Sequence, residues 1–240
     1  WVAVPGAEQY DLSTVRLAIS GAAPLAPDVL RDFKGMFGVD IYEGYGLTET
    51  SPTLASNRMT SKPRAGSIGM PLPEVELRVV DEEGNEVEIG DPGEIVVRGP
   101  NVFAGYWNRP DDTEKAFTDG WFRTGDIAVK DEDGYLYLVD RKRDLIIVSG
   151  FNVFPSEVEA ALVQNPKVAE AAVVGVPHPY TGEAVKAYVV LDDGTESSEA
   201  ELIADVETRL ARFKSPQTIE IVESLPHLLT GKVLRRALRT

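Results

Sequence analysis

From about residue 66 to residue 139 apolar and polar residues alternate in short runs, and each run ends in a turn sequence. Residues 74–80 read Glu-Val-Glu-Leu-Arg-Val-Val, residues 94–99 Glu-Ile-Val-Val-Arg-Gly and residues 135–139 Tyr-Leu-Tyr-Leu-Val. Asp81-Glu-Glu-Gly-Asn85 and Asp131-Glu-Asp-Gly134 punctuate them. Successive strand side chains point to opposite faces, so a period of two means half-buried strands, and glycine supplies the positive φ of the hairpin turns. The acidic turn at 131–134 has a hint of a calcium loop, but the remaining ligands and the twelfth-position Glu are missing. It reads as a hairpin.

The flanking regions carry other periods. Residues 14–20 read as a buried strand, residues 27–37 as a helix with Val29, Leu30, Phe33 and Phe37 on one face, and residues 39–42 as a second strand. Beyond Asp140, Ser156 with Glu159 makes a capping box for a helix at 157–164, and Ser198 with Glu201 another for 199–212. Strand-like runs lie at 168–176, 184–191 and 218–223. The predicted fold is α/β plus a β-barrel-like subdomain, followed by a small α+β carboxy-terminal domain. The boundaries are 1–65 for the end of a large α/β domain, 66–139 for the β-rich subdomain and 140–240 for the last domain. The charged run Asp140-Arg-Lys-Arg-Asp144 is the natural joint.

Composition narrows the partners. The chain has no cysteine and two histidines, His178 and His227, which rules out disulfides and argues against a zinc site. A net charge of −15 repels nucleic acid and anionic headgroups. Only the tail turns basic, at Lys232, Arg235, Arg236 and Arg239. No run of about 18 apolar residues is present, so no transmembrane segment is expected. The start, Trp1-Val-Ala-Val-Pro-Gly6, has no initiator Met and no leader pattern, and suggests a piece of a longer protein.

Single motifs are ambiguous. Glu43-Gly-Tyr-Gly-Leu-Thr-Glu49 reads as a Gly-rich loop after a strand, suited to an anion, with Glu49 as a hard ligand for Mg²⁺ and room for a flat heterocycle above the Tyr45 ring. Taken alone, it reads more readily as a tight turn with a capping Thr. Phe122-Arg-Thr-Gly-Asp126 ends a β segment at a Gly-Asp turn whose carboxylate suits a ribose. Thr230-Gly-Lys232 lacks the earlier Gly of a Walker loop, since Pro226 occupies that place. Its Lys, before a predicted helix at 233–238, suits a phosphate or serves as an ordinary helix-start cation.

Read in order, Ser20-Gly-Ala-Ala-Pro-Leu25, Tyr42-Glu-Gly-Tyr-Gly-Leu-Thr-Glu49, Gly120-Trp-Phe-Arg-Thr-Gly-Asp126, Val139-Asp-Arg-Lys-Arg-Asp144, the stretch 148–159 and Leu225-Pro-His-Leu-Leu-Thr-Gly-Lys232 resemble the acyl-adenylate-forming superfamily. The likeness covers essentially the whole chain and is greatest to bacterial long-chain fatty-acid–CoA ligases. It implies ATP, Mg²⁺ and coenzyme A as cofactors and a fatty acid as substrate. Gly21, Ala22 and Ala23 would line the adenine site, with Glu43, Gly44, Tyr45 and Gly46 against the ring. Thr48 would bind the α-phosphate, Glu49 the Mg²⁺, Asp126 the ribose, and Arg141 the ribose or phosphates. Asp140 would be the hinge. Gly150, Phe151 and Asn152 would build the pantetheine channel, and Lys232 would bridge carboxylate and α-phosphate.

The resemblance also implies what is missing. The Ser/Thr/Gly-rich loop that wraps the outer phosphates, and most of the acyl tunnel, lie upstream in the family, so these residues alone are expected not to adenylate. Leu228 stands where a small polar residue is common. The implied location is the cytoplasm, or the membrane periphery for the full-length protein. Three readings stand: a fatty-acid–CoA ligase, an enzyme that loads a carrier protein or makes an aromatic acyl-CoA, and a non-catalytic interaction module. Retention of Thr48, Glu49 and Lys232 argues against the last.

Overall fold

The computed structural model describes residues 1–60, 63–228 and 231–239. The chain divides into two compact units, Trp1–Leu138 and Val139–Thr240.

The first unit opens with β1 (Ala18–Ser20), α1 (Pro27–Phe37), β2 (Ile41–Gly46), β3 (Thr53–Ser56) and β4 (Met70–Pro71). These strands form one sheet in that order, β1 and β2 parallel and the rest antiparallel. Helix α1 starts on Pro27, whose fixed φ suits a first turn, and stops at Gly38, whose left-handed backbone lets its N–H reach the Lys34 carbonyl at 2.8 Å. β1 is shorter than the sequence suggests because residues 12–15 close a turn, Val15 N–H donating to the Leu12 carbonyl at 2.9 Å.

A second sheet orders β5 (Glu76–Val80), β6 (Gly93–Arg98), β8 (Trp121–Lys130) and β7 (Phe117–Thr118), with β9 (Leu136–Arg141) also on β8. Helix α2 (Pro110–Ala116), which the sequence reading missed, precedes β7. Leu54, Ile68, Val79, Ile95, Val97, Phe122 and Leu136 bury a common core between these sheets. The acidic turn is a hairpin, and Arg64 fills it from outside, donating to Asp131 Oδ2 at 2.7 Å and stacking 3.9 Å from the Tyr135 ring centroid.

The second unit is a five-stranded sheet of β10 (Ile146–Val148), β11 (Phe151–Val153), β12 (Val168–His178), β13 (Gly182–Leu191) and β14 (Thr218–Ile221), with helices α3 (Pro155–Val163) and α4 (Glu199–Glu207). Alternation gives the sheet two apolar faces. Val173, Val185, Ala187 and Val189 pack with Val158, Leu162, Leu202 and Val206 of the helices. Ala172, Val174 and Tyr188 face the other way, onto Leu225, Val233 and Leu238 of the tail. The helix expected at 233–238 is a single 3-10 turn, Arg235–Ala237. Only one of the two expected capping boxes forms. Ser198 and Glu201 exchange both bonds at the start of α4, whereas Ser156 sits inside α3 and donates its hydroxyl to the Val139 carbonyl at 2.6 Å.

Among the described residues, no helix is long and apolar enough to cross a membrane.

Candidate functional site

In the first unit the site grows from β2. The expected Gly-rich loop is instead the second half of this strand, because Gly44 and Tyr45 pair with Ser56 and Ala55 of β3. At Gly46 the chain doubles back so closely that a Cβ would lie 1.7 Å from the Pro52 carbonyl oxygen. Only glycine fits there. Tyr45 is buried in the core, so its ring offers little open face, and its hydroxyl donates to Asp126 Oδ2 at 2.7 Å.

Asp126 does not end a strand. It lies within β8, where Thr124, Gly125 and Asp126 oppose the single residue Ile95 of β6. Gly125 takes a φ of 72°, and the Thr124 hydroxyl donates to the Ile95 carbonyl at 2.8 Å while accepting the Asp126 N–H at 3.1 Å. A bulge re-aims the side chain that follows it, and here it turns Asp126 towards Tyr45.

Gly21, Ala22 and Ala23 form an exposed loop after β1, with Ala22 in the left-handed region at φ 69°. Glu43 ties that loop down, its Oε1 accepting the Leu25 N–H at 2.9 Å. Its Oε2 is buried with no partner among the described residues, and burial pushes this carboxyl above its ordinary pKa despite the Leu25 bond.

Thr48 and Glu49 begin a 3-10 turn after β2, Thr48 exposed and Glu49 half-buried. The Tyr106 hydroxyl donates to Glu49 Oε1 at 2.9 Å, and Phe103 N–H donates to the Glu49 carbonyl at 2.8 Å. Burial, then the hydrogen bond to Glu49 and its charge, raise the Tyr106 pKa. Nothing in the sequence signals this brace, because an aromatic after Gly105 has no motif of its own. Among the described residues no three His, Asp or Glu converge on a metal. A lone carboxylate with one oxygen left over fits Mg²⁺ only when phosphates complete the shell, which is how nucleotide-linked Mg²⁺ is commonly held.

In the second unit Asp140 is nearly buried. Its Oδ1 accepts the Arg141 N–H at 2.9 Å, and its Oδ2 accepts the Ser156 N–H at 2.8 Å, capping α3. The Arg141 side chain is exposed. Ser149 and Gly150, with φ of 52° and 84°, turn the tight β10–β11 hairpin. Phe151 and Asn152 stand exposed on it, and the Phe151 ring meets Phe213 at 4.9 Å. Beside this hairpin lies a cleft of about 370 Å³ lined by Val148, Ser149, Thr181, Arg212, Phe213 and Ser215. Ser215 Oγ is buried with no partner among the described residues.

Lys232 is exposed on a small hairpin closed by Leu228 N–H on the Lys232 carbonyl at 2.8 Å and Leu234 N–H on the Pro226 carbonyl at 2.7 Å. Thr230, which precedes it in the motif, lies outside the described residues.

Residues 2–107 match the AMP-binding enzyme family, and residues 157–232 match the AMP-binding enzyme C-terminal domain. The chain is 47% identical over 229 residues to a long-chain-fatty-acid–CoA ligase of Yersinia pestis, covering 95% of this chain and 41% of that protein. To a feruloyl-CoA synthase of an Amycolatopsis species it is 42% identical over 230 residues, covering 95% of this chain and 47% of that one. ATP-bound MatB from Rhodopseudomonas palustris has the same fold at a TM-score of 0.88 and 41% identity, over 99% of this chain and 48% of its own. The chain thus spans less than half the length of these relatives.

Proposed function

Because this chain belongs to the AMP-binding, acyl-adenylate-forming enzymes, we propose that the whole protein joins a long-chain fatty acid to coenzyme A through an acyl-adenylate, and that these residues supply part of its ATP site. The observation that carries this reading is the Tyr45–Asp126 pair, fixed by β2 and the β8 bulge beside the loop that Glu43 ties down. It fixes a largely buried carboxylate in the first unit, oriented by the Tyr45 hydroxyl, of the kind that selects a ribose by directed hydrogen bonds.

Attack of a fatty carboxylate on the α-phosphorus brings two anions together, so catalysis is positioning and charge neutralisation. Asp126 accepts the ribose hydroxyls, with Tyr45 orienting it. Gly21, Ala22 and Ala23 flank the adenine with Glu43 and Gly44, and Arg141 reaches the ribose or phosphates. Thr48 donates to the α-phosphate. Glu49, together with the phosphates, would hold Mg²⁺, which would supply charge neutralisation there. The Lys232 ammonium bridges the carboxylate and the α-phosphate as the new oxygen–phosphorus bond forms and pyrophosphate leaves. In the second half-reaction the thiol sulfur of coenzyme A attacks the acyl carbon and AMP leaves. The second unit swings about Asp140, withdrawing Lys232 and presenting Gly150, Phe151 and Asn152, with the neighbouring cleft available to the incoming thiol carrier.

The test separates the half-reactions in the whole protein. Lys232→Ala is expected to lower acyl-adenylate formation by about three orders of magnitude and to spare conversion of supplied acyl-adenylate to acyl-CoA. Gly150→Leu, which puts a side chain at a φ of 84°, is expected to do the reverse. Damage by both substitutions to the same half-reaction would end the two-conformation account. A second reading, an aromatic acid as substrate, is favoured by the 42% identity to the feruloyl-CoA synthase. Offering a hydroxycinnamate against a long-chain fatty acid in the same assay decides between them.

A further inference from the structure

The tail that carries Lys232 also carries a side chain with more acidic partners than its own charge requires. Arg235 is bidentate on Glu159, Nε to Oε1 at 3.0 Å and Nη2 to Oε2 at 2.7 Å. One such fork already neutralises a guanidinium. Its Nη1 nevertheless sits 3.7 Å from Asp140 Oδ1 and 3.7 Å from Asp144 Oδ2. Those distances exceed a hydrogen bond, so the coupling is of charge to charge. It is also shielded from solvent, with Arg235 at 22%, Asp140 at 3% and Asp144 at 13% side-chain exposure. Arg239 closes the same cluster, its Nη2 lying 2.9 Å from Asp144 Oδ1.

The geometry has a direction. Val233 and Leu238 seat the tail on the sheet face formed by Ala172, Val174 and Tyr188, and non-directional packing fixes depth better than rotation. Arg235 is the tail side chain that reaches Asp140, whose two oxygens already hold the Arg141 and Ser156 amides. Only Val233 and Leu234 separate it from Lys232.

We propose that Arg235 is a positioning residue that ties the Lys232 hairpin to the Asp140 carboxylate, so that the ammonium and the pivot turn as one piece. This rests on the adenylation role of Lys232 and the hinge role of Asp140 proposed above. Without the tie, the second unit still swings and still presents the Gly150 hairpin, but Lys232 arrives poorly aimed. The loss therefore falls on adenylation alone.

A double-mutant cycle in the whole protein tests this. Arg235→Met is expected to lower kcat for acyl-adenylate formation about 10- to 100-fold, with KM for ATP held within about 2-fold, because the residue acts on aim and not on nucleotide binding. Conversion of supplied acyl-adenylate to acyl-CoA is expected to stay near the parent rate. In a Lys232→Ala background the same substitution is expected to cost nothing further, since residues acting through one another are not additive. Arg235→Lys, which keeps the charge but cannot span Glu159 and Asp140 together, is expected to fall in between, and it carries the cycle should the Met variant not fold. Equal losses in both half-reactions, or an undiminished further loss on top of Lys232→Ala, would reduce Arg235 to a structural residue and overturn the inference. Parent-like adenylation by Arg235→Met beside a disabled Lys232→Ala overturns the inference alone, whereas active Lys232→Ala overturns the reading beneath it as well.

Discussion

Glu43 shows how one side chain can hold a site together at a cost to the fold. Its Oε1 is occupied by the Leu25 N–H, but Oε2 is buried without a partner among the described residues. Burial raises its pKa, so the folded protein holds the proton more tightly than the unfolded chain does. Stability from this group is therefore full in acid and is lost as pH rises through the folded value. Glu43→Gln keeps an oxygen for Leu25 and removes the charge. It is expected to stabilise the whole protein by about 1 kcal/mol at pH 8, and the gain should vanish near pH 4, where the wild-type carboxyl is protonated too. Denaturant melts at the two pH values measure it, and an equal shift at both would show that ionisation is not the cause. The candidacy of Glu43, Tyr45 and Asp126 was legible in the sequence, because each lies in a motif. The bond between Tyr45 and Asp126 was not, since 81 residues separate them and no local pattern encodes their meeting.

At the scale of elements, two identical Ser-x-x-Glu patterns met different fates. Ser198 accepts the Glu201 N–H at 3.3 Å, and Glu201 Oε2 accepts the Ser198 N–H at 3.0 Å. At α3 a tertiary competitor wins. Asp140 caps the Ser156 amide, and Glu159 is taken by the Val173 N–H at 2.9 Å and by Arg235. Local propensity specified the box; the sheet beneath decided whether it formed. Ser198→Ala is accordingly expected to destabilise the second unit by about 1 kcal/mol, read as a lower unfolding midpoint, and an unchanged midpoint would show that packing alone holds α4. The same limit explains the missed bulge. Gly125 in Arg-Thr-Gly-Asp reads as a turn, and only pairing with β6 reveals that the strand continues through it. By contrast, α1 lies where the helical spacing of Val29, Leu30, Phe33 and Phe37 puts it, and Pro27 and Gly38 then set its ends through their own backbones.

At the scale of the molecule, the division at Leu138/Val139 has energetic content. The second unit buries Ile146, Val158, Leu162, Val173, Leu202 and Val206 in a core of its own, and its tail covers the opposite sheet face. Its capping, its Asp140 bonds and its Arg235 cluster all close within Val139–Thr240. A body that turns about a hinge needs this property, because motion must not open its core. Val139–Thr240 alone, at about 100 residues an ordinary domain size, is therefore expected to fold cooperatively, with coincident loss of near- and far-UV circular dichroism on heating. Non-coincident transitions or a collapsed state without fixed tertiary structure would mean that the unit depends on the rest of the chain for its packing. Residue 232 would then ride on a surface that the proposed swing loosens, and a rigid delivery of its ammonium would be physically untenable.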